Sequence, residues 1–403
     1  MAETPFKLSI PDTDLDFLRR KLQVTRLPDE LDDAKWDYGA PLADIKRLAA
    51  RWENGFDWRK AETEVNKIPQ FTRDINIEGF GPLNIHYVHQ KSELDRAIPL
   101  LFIHGWPGHF MEVAKLLPLL TTVASDQPSF HVVTYSLPGF GFSEAPKKKG
   151  FSIPQYAEIG HKLMLALGYT EYVTQGGDWG SIITRYICHK YGGEHAKAWH
   201  TNCPGLMGPP SFWSTPWLFI KFLVTSYSDA ERRGLERTRN YSEKGSGYVA
   251  EQSTKPQTLG YSLADSPAGL LAWIYEKLVT WTDNYPWTDD EVLAWVSIYW
   301  FSRPGPAAST RIYYEVFADG QIFANPYIVV PTGISIFPME ILRYPKLWCH
   351  SLGNLVCTFE HDKGGHFAAH EVPELLADDL RKMFGIGGPA FGVVPGKSGY
   401  VLA

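Results

Sequence analysis

Three short apolar runs, each ending in a turn-forming cluster and each followed by a helix-like segment, constrain this chain most. Ile98-Pro99-Leu100-Leu101-Phe102-Ile103 ends in His104-Gly105. Phe130 to Tyr135 ends in Leu137-Pro138-Gly139-Phe140-Gly141, and Tyr172-Val173-Thr174-Gln175 ends in Gly176-Gly177. Helical segments are expected at His109 to Leu120, Ile153 to Leu167 and Ser181 to Tyr191. Runs of this kind lack the alternation of a half-exposed strand, so both their faces are covered, and the alternation with helices predicts an α/β fold with a mostly parallel central sheet. Ala196 to His200 is a weaker run. The rhythm returns at Tyr327 to Phe337 and Leu355 to Glu360, with a last helix at Val372 to Phe384.

The rest of the chain has other textures. From Phe71 to Gln90 apolar positions alternate (Ile75, Ile77, Leu83, Ile85, Tyr87) around Gly79-Phe80-Gly81-Pro82, which predicts a β-hairpin. Residues 1–69 read as a helical N-terminal extension, with helices near Leu15 to Val24 and Pro41 to Trp52. Residues 204–325 show no strand rhythm and hold seven of the 14 Trp. They read as a helical lid inserted between core segments 70–203 and 326–403, over the strand ends where open α/β sheets bind ligands. Trp213, Trp217, Phe219 and Phe222 in it are expected to bear on substrate size. The Gly- and Pro-rich tail after Phe384 reads as a loosely ordered end.

Composition narrows the functional classes. Lys plus Arg is 39 and Asp plus Glu is 45, so the formal net charge is −6, with 44% apolar residues. That is the balance of a globular protein in water, and with no long basic block it argues against nucleic acid as a partner. Lys147-Lys148-Lys149 reads as a solvated loop. The four Cys (188, 203, 349 and 357) fit no zinc or disulfide pattern. The start has no apolar signal segment and no apolar run is long enough to span a bilayer, so a cytoplasmic protein without membrane anchor is expected.

The chemistry gathers at three turns. In Gly176-Gly177-Asp178-Trp179-Gly180 a strand must turn abruptly into a helix, and Gly-x-nucleophile-x-Gly is the pattern of a nucleophile elbow, with Asp178 in the nucleophile's place. The plain alternative is an N-cap Asp in an ordinary loop. His104-Gly105-Trp106-Pro107-Gly108 follows an earlier strand. In an elbow fold the loop there and the residue after the nucleophile supply backbone N–H groups for an oxyanion, which here are those of Trp106 and Trp179. Gly364-Gly365-His366-Phe367 follows the last strand, with His366 placed 188 residues after Asp178. The fold orders its triad nucleophile, acid, histidine. Glu340, 26 residues before His366, stands after a strand and fits the acid; Asp362 and Glu315 are rivals. His361, His366 and His370 do not have a usual zinc spacing, and Gly139-Phe140-Gly141 lacks the third Gly of a dinucleotide loop. Neither a metal nor a cofactor is expected.

With these motifs the chain resembles the microsomal-type epoxide hydrolases of the α/β-hydrolase superfamily. The likeness includes Phe56-Asp57-Trp58-Arg59, His104-Gly105-Trp106-Pro107-Gly108, Gly177-Asp178-Trp179-Gly180 and Gly364-Gly365-His366-Phe367-Ala368-Ala369. It implies an α/β-hydrolase fold, Asp178 as nucleophile, His366 as base and Glu340 as its acid partner. It also implies two lid tyrosines: Tyr313 in Arg311-Ile312-Tyr313-Tyr314, ahead of its neighbour Tyr314, and Tyr248 in Gly247-Tyr248. Animal relatives carry an N-terminal anchor; this sequence starts directly at the extension, with Pro5-Phe6-Lys7-Leu8, and a soluble member is expected. The implied partners are a small-molecule epoxide and water, and a homodimer with the extension around the lid is compatible with the likeness.

These residue types suit epoxide opening. A carboxylate of ordinary pKa, about 3.9, is ionised at neutral pH and can attack a strained ring unaided. A phenol, pKa about 10, stays neutral and can donate to the epoxide oxygen. His366-activated water would then hydrolyse the ester on Asp178 to release a vicinal diol. Other readings stay open at this point. Haloalkane and haloacid dehalogenases also use Asp and His on this fold. The epoxide could be a dedicated biosynthetic intermediate, hydrolysed or cyclised, rather than a compound being detoxified. The fold could also survive as a binding pocket without turnover.

Overall fold

The expected strands join in one nine-stranded sheet in the computed structural model, which describes residues 3–213, 215–320, 322 and 326–401. The strands are β1 (Thr4–Pro5), β2 (Gln70–Ile77), β3 (Gly81–Gln90), β4 (Ile98–Ile103), β5 (Phe130–Tyr135), β6 (Tyr172–Gly176), β7 (Ala196–Thr201), β8 (Ile328–Ile336) and β9 (Gly353–Glu360). Their order is β1-β2-β3-β5-β4-β6-β7-β8-β9. The first three pairings are antiparallel and the remaining five are parallel. Every residue of β4, β5 and β6 is buried, as continuous apolar runs in a doubly covered sheet require.

Helices α1 (Asp12–Gln23), α2 (Leu42–Asn54) and α3 (Trp58–Val65) lie in the N-terminal extension. α4 (Leu116–Thr121), α5 (Ile153–Ala166) and α6 (Trp179–Tyr191) connect the early strands. Between β7 and β8 come α7 (Pro216–Val224), α8 (Asp229–Asn240), α9 (Gly247–Thr254), α10 (Pro256–Asp265), α11 (Pro267–Thr280), α12 (Asp289–Trp300) and α13 (Arg311–Ala318). α14 (Lys346–Cys349) lies between β8 and β9, and α15 (Ala368–Glu371) and α16 (Pro373–Phe384) follow β9. The expected lid boundary at residue 325 lies outside the described residues, as does the chain's end at 402–403. Among the described residues no helix is long and apolar enough to cross a membrane.

The N-terminal helices are tied to the inserted ones. Leu18, Leu22, Ile45, Leu48 and Trp52 are buried in the same apolar core as Leu270, Leu271, Val296 and Trp300. Trp52 Nε1 donates to Ser297 Oγ at 3.1 Å, and Arg51 forks onto both oxygens of Asp290 at 2.7 and 2.9 Å. Lys21 pairs with Asp265, and Arg47 with Asp289.

Four expectations need correction. The helix from His109 to Leu120 is broken into a 3₁₀ turn, Phe110–Val113, and α4. Pro118 has no N–H and its ring crowds the carbonyl four residues back, so it is tolerated only in a first turn, where α4 puts it. α6 starts at Trp179, two residues before the expected Ser181. Trp213 and Trp217 do not face the interior; they are 91% and 67% exposed, and α7 has no buried residue. The tail is not loose over its described residues. Ala390, Val394 and Tyr400 are buried, Gly399 N–H donates to Arg96 O, and Ser129 N–H donates to Gly399 O. These backbone bonds fasten the tail beside the start of β5.

Candidate active site

Four strand ends, those of β4, β6, β8 and β9, bring the candidate residues together. β6 runs into α6 through Asp178, whose φ of 51° is in the left-handed region that non-glycine residues rarely occupy. The turn is possible because the chain comes close on both sides. A Cβ at Gly180 would overlap the Ile103 carbonyl, and one at Gly105 would overlap the Asp178 carboxylate. Gly177 packs against the Asn202 amide. An N-cap role is not what the geometry shows, since Asp178 caps α6 with no side-chain bond. Its Oδ1 instead accepts the Trp106 N–H at 2.8 Å. Trp179 is the first residue of α6, where backbone N–H groups have no carbonyl partner within the helix.

The loop that carries Trp106 is held from above and below. His104 is buried. Its Nδ1–H donates to Gly105 O at 2.9 Å and its Nε2 accepts the Leu137 N–H at 3.3 Å, which fixes one neutral tautomer. Burial pushes its pKa down to about 4, so the ring stays uncharged. Pro107 follows a cis peptide bond. From α12, Trp295 Nε1 donates to Pro107 O at 2.7 Å and the Tyr299 hydroxyl donates to Gly108 O at 2.5 Å.

His366 spans two carboxylates. Its Nδ1 donates to Glu340 Oε1 at 2.7 Å, and its Nε2 is 3.5 Å from Asp178 Oδ2. Glu340 follows β8, and the same Oε1 accepts the Ile341 N–H at 2.7 Å. The loop before His366 is clamped as well: Gly364 N–H donates to Asp283, Gly365 N–H to Glu371, and His366 N–H to Trp281 O. Burial acts to lower the His366 pKa, but Glu340 and Asp178 outweigh it and hold the ring's pKa well above its ordinary value. Cys203 presents its sulfur within 4.8 Å of ligand atoms of Glu340 and His366. Burial raises its thiol pKa far above the usual range, so it is a neutral neighbour.

The rival assignments fall elsewhere. Asp362 is exposed, and Glu315 sits on α13, where it accepts the Gly150 N–H. His361 is bonded to Asp379 and His370 is stacked on Trp287, so the three C-terminal histidines do not converge.

Over Asp178 lies an aromatic roof from the inserted helices. The Tyr248 ring stacks on Trp106, with centroids 5.0 Å apart. Tyr313 stands edge-on to Trp106 and Trp179, at 5.7 and 4.7 Å. Tyr248 and Tyr313 are buried and their centroids are 5.8 Å apart. Burial, more than the nearby negative charge of Asp178, raises both phenol pKa values well above 10. Tyr314, the neighbour ranked lower, is 37% exposed. Sequence reasoning missed a third phenol. The Tyr241 hydroxyl is 2.7 Å from that of Tyr248, and Tyr241 opens a π-helical turn, Tyr241–Gly245. Its spacing of seven from Tyr248, two helical turns, was the available signal. The arrangement offers a carboxylate with one oxygen on an N–H group, an imidazole backed by a second carboxylate, and neutral hydroxyl donors opposite. That set fits covalent attack on an electrophilic carbon, followed by hydrolysis.

Comparison with known proteins shows the family and the fold. A family model described as the epoxide hydrolase N terminus matches residues 3–113, and one described as the alpha/beta hydrolase fold matches residues 98–240. Epoxide hydrolase 1 of Sus scrofa is 36% identical over 412 residues, spanning 95% of this chain and 88% of that protein. Juvenile hormone epoxide hydrolase 1 of Ctenocephalides felis is 34% identical, spanning 93% and 84%. The structure of Aspergillus niger epoxide hydrolase superposes with a TM-score of 0.82 at 34% identity, covering 94% of this chain and 95% of that one.

Proposed function

The chain belongs to the epoxide hydrolases of the α/β-hydrolase fold, and we propose that it opens its epoxide through a covalent ester on Asp178. Asp178 Oδ2 attacks an epoxide carbon and the C–O bond of the ring breaks. The ring oxygen takes a proton from Tyr248 or Tyr313, and the phenolate regains one from the protonated His366. The products of this half are a hydroxyalkyl ester, a neutral imidazole and a neutral phenol.

The electrostatics support this order. While Asp178 is charged, it helps keep the proton on His366. Once esterified it carries no charge, and only Glu340 remains to oppose the effect of burial. His366 can then serve as a base. Water attacks the Asp178 carbonyl carbon and gives a proton to His366 Nε2, and the oxyanion rests on the Trp106 and Trp179 N–H groups. Collapse breaks the ester bond, the departing alkoxide takes the proton from His366, and the diol leaves. The new carboxylic acid of Asp178 returns its proton to the ring and restores the starting state. Glu340 keeps the tautomer and steadies the imidazolium.

The observation that carries the reading is the two-sided hold on Asp178, with Oδ1 on the Trp106 N–H at 2.8 Å and Oδ2 facing His366 at 3.5 Å. A single turnover of an aryl epoxide in ¹⁸O-labelled water, with enzyme in excess, tests it. Label in the peptide containing Asp178 is the expected result. Label confined to the diol would mean direct attack by water on the epoxide.

A further inference from the structure

The scheme leaves one question at the ester stage: what aims the attacking water. Such a water sends one hydrogen to His366 Nε2 and a lone pair to the Asp178 carbonyl carbon. Its second hydrogen needs an acceptor, because a buried polar group left unpaired is costly. The space beside Asp178 and His366 is a cavity of about 10 Å³, close to the size of a single water. Its walls are mostly glycine backbone and apolar groups, including Phe102, Phe367 and Ala369. Of its polar walls, the Asn202 Oδ1 accepts from Gln175 Nε2 at 2.8 Å. The Glu112 carboxyl is held by the Gly105 and His109 backbone, has two oxygens to offer, and interacts with both His366 and Asp178.

Glu112 lies in the 3₁₀ turn after the Trp106 loop, and its N–H is fixed to His109 O at 2.9 Å. Its carboxyl folds back over Gly108 and occupies the place a Cβ there would take. This brings it into the cavity, within the electrostatic reach of both His366 and Asp178. We propose that Glu112 is a catalytic residue of the second half-reaction, its carboxyl oxygen accepting the second hydrogen of the hydrolytic water and so aiming that water at the Asp178 ester. The inference rests on the ester reading above. No bond to Glu112 forms or breaks covalently: the water oxygen joins Asp178, one water hydrogen goes to His366, and the other stays on the oxygen. Burial pushes the Glu112 pKa up to about 8. This shift favours the neutral acid at neutral pH, which weakens its competition with Asp178 for the His366 proton and still offers a carbonyl acceptor.

The test follows the ester by intact-protein mass after rapid quench, with enzyme in excess over styrene oxide. In Glu112→Ala the ester forms at a rate within about twofold of wild type and decays about tenfold more slowly or worse. Glu112→Gln keeps a carbonyl acceptor and decays faster than Glu112→Ala. Gly108→Ala, which pushes the carboxyl aside without removing it, repeats the split, and it carries the test if Glu112→Ala does not fold. Decay at the wild-type rate in Glu112→Ala and Gly108→Ala overturns the proposal. So does an equal fall in formation and decay, the mark of a structural role. A His366→Gln control run in parallel keeps the two readings apart, because absence of any ester there means that the Asp178 reading has failed instead.

Discussion

His366 Nδ1 stands 2.7 Å from Glu340 Oε1, with both side chains sealed from solvent. The other ring nitrogen faces Asp178, so the imidazolium is bracketed by two carboxylates. Its pKa in the folded protein is above its unfolded value, about 6.5. A group raised in this way contributes its full stability below the unfolded pKa and loses it as pH rises through the folded one. The melting temperature of His366→Gln should therefore fall furthest below wild type near about pH 6, with the gap narrowing toward alkaline pH. Thermal melts across that range check this, and a gap independent of pH would refute the bracketed imidazolium.

On the proposed ester route the roof tyrosines act in the first half-reaction only. Tyr248 and Tyr313 stay neutral because burial holds their pKa values high, so each keeps a proton to donate. Tyr248→Phe and Tyr313→Phe should each slow ester formation about 10²-fold, the usual worth of a positioned acid. Decay of the ester that does form should change little. Tyr241 touches only the Tyr248 hydroxyl in this trio at hydrogen-bond distance, so Tyr241→Phe should cost several-fold less than Tyr248→Phe. Rapid-quench measurement of the two rates separates these cases. A Tyr248→Phe variant with normal ester formation would remove that residue from the clamp.

Much of this site was legible because its key turns are local in sequence. The approach of Gly180 to Ile103 and of Gly105 to Asp178 demands residues without side chains, and such demands leave glycines a reader can see. The strands were legible because a run buried on both faces is mostly apolar, even though β5 and β6 also bury His131, Thr134, Thr174 and Gln175. What stayed hidden depends on contacts across the fold. Trp295 and Tyr299 reach Pro107 and Gly108 across 188 and 191 residues, and nothing near them in sequence announces it. Glu112 reads locally as one more acidic residue on a helix surface, until Gly108 is seen to make room for it. How Trp213 and Trp217 pack was hidden too: both are exposed, and an aromatic residue in an inserted segment reads alike in sequence whichever way its helix turns.

The lid's grip on the Trp106 loop should matter to both stability and rate. The Trp295 indole and the Tyr299 hydroxyl each satisfy a carbonyl in the turn that carries the oxyanion donor. Tyr299→Phe strips the donor from Gly108 O, and a buried carbonyl left unpaired costs about 1–3 kcal/mol. Urea unfolding should show that loss. Both ester formation and decay should slow together, because on the proposed route the Trp106 N–H serves the resting carboxylate and the oxyanion alike. A stability loss without any effect on rate would mean that the loop keeps its position unaided.

The N-terminal helices should prove integral to the fold. Trp52 is 4% exposed, lies edge-on to Trp300 and donates to Ser297, so one side chain couples α2 to α12. α12 in turn carries Trp295 and Tyr299 onto the catalytic loop. Trp52→Ala removes a large buried ring and orphans the Ser297 contact, for an expected loss of about 3–5 kcal/mol. Trp52→Phe keeps most of the packing and should lose less than half of that. If α2 is coupled to the site only through this packing, the two variants should rank the same way in urea midpoint and in the rate of ester formation. A Trp52→Ala variant that is destabilised yet forms the ester at the wild-type rate would show that α12 holds its place without the extension.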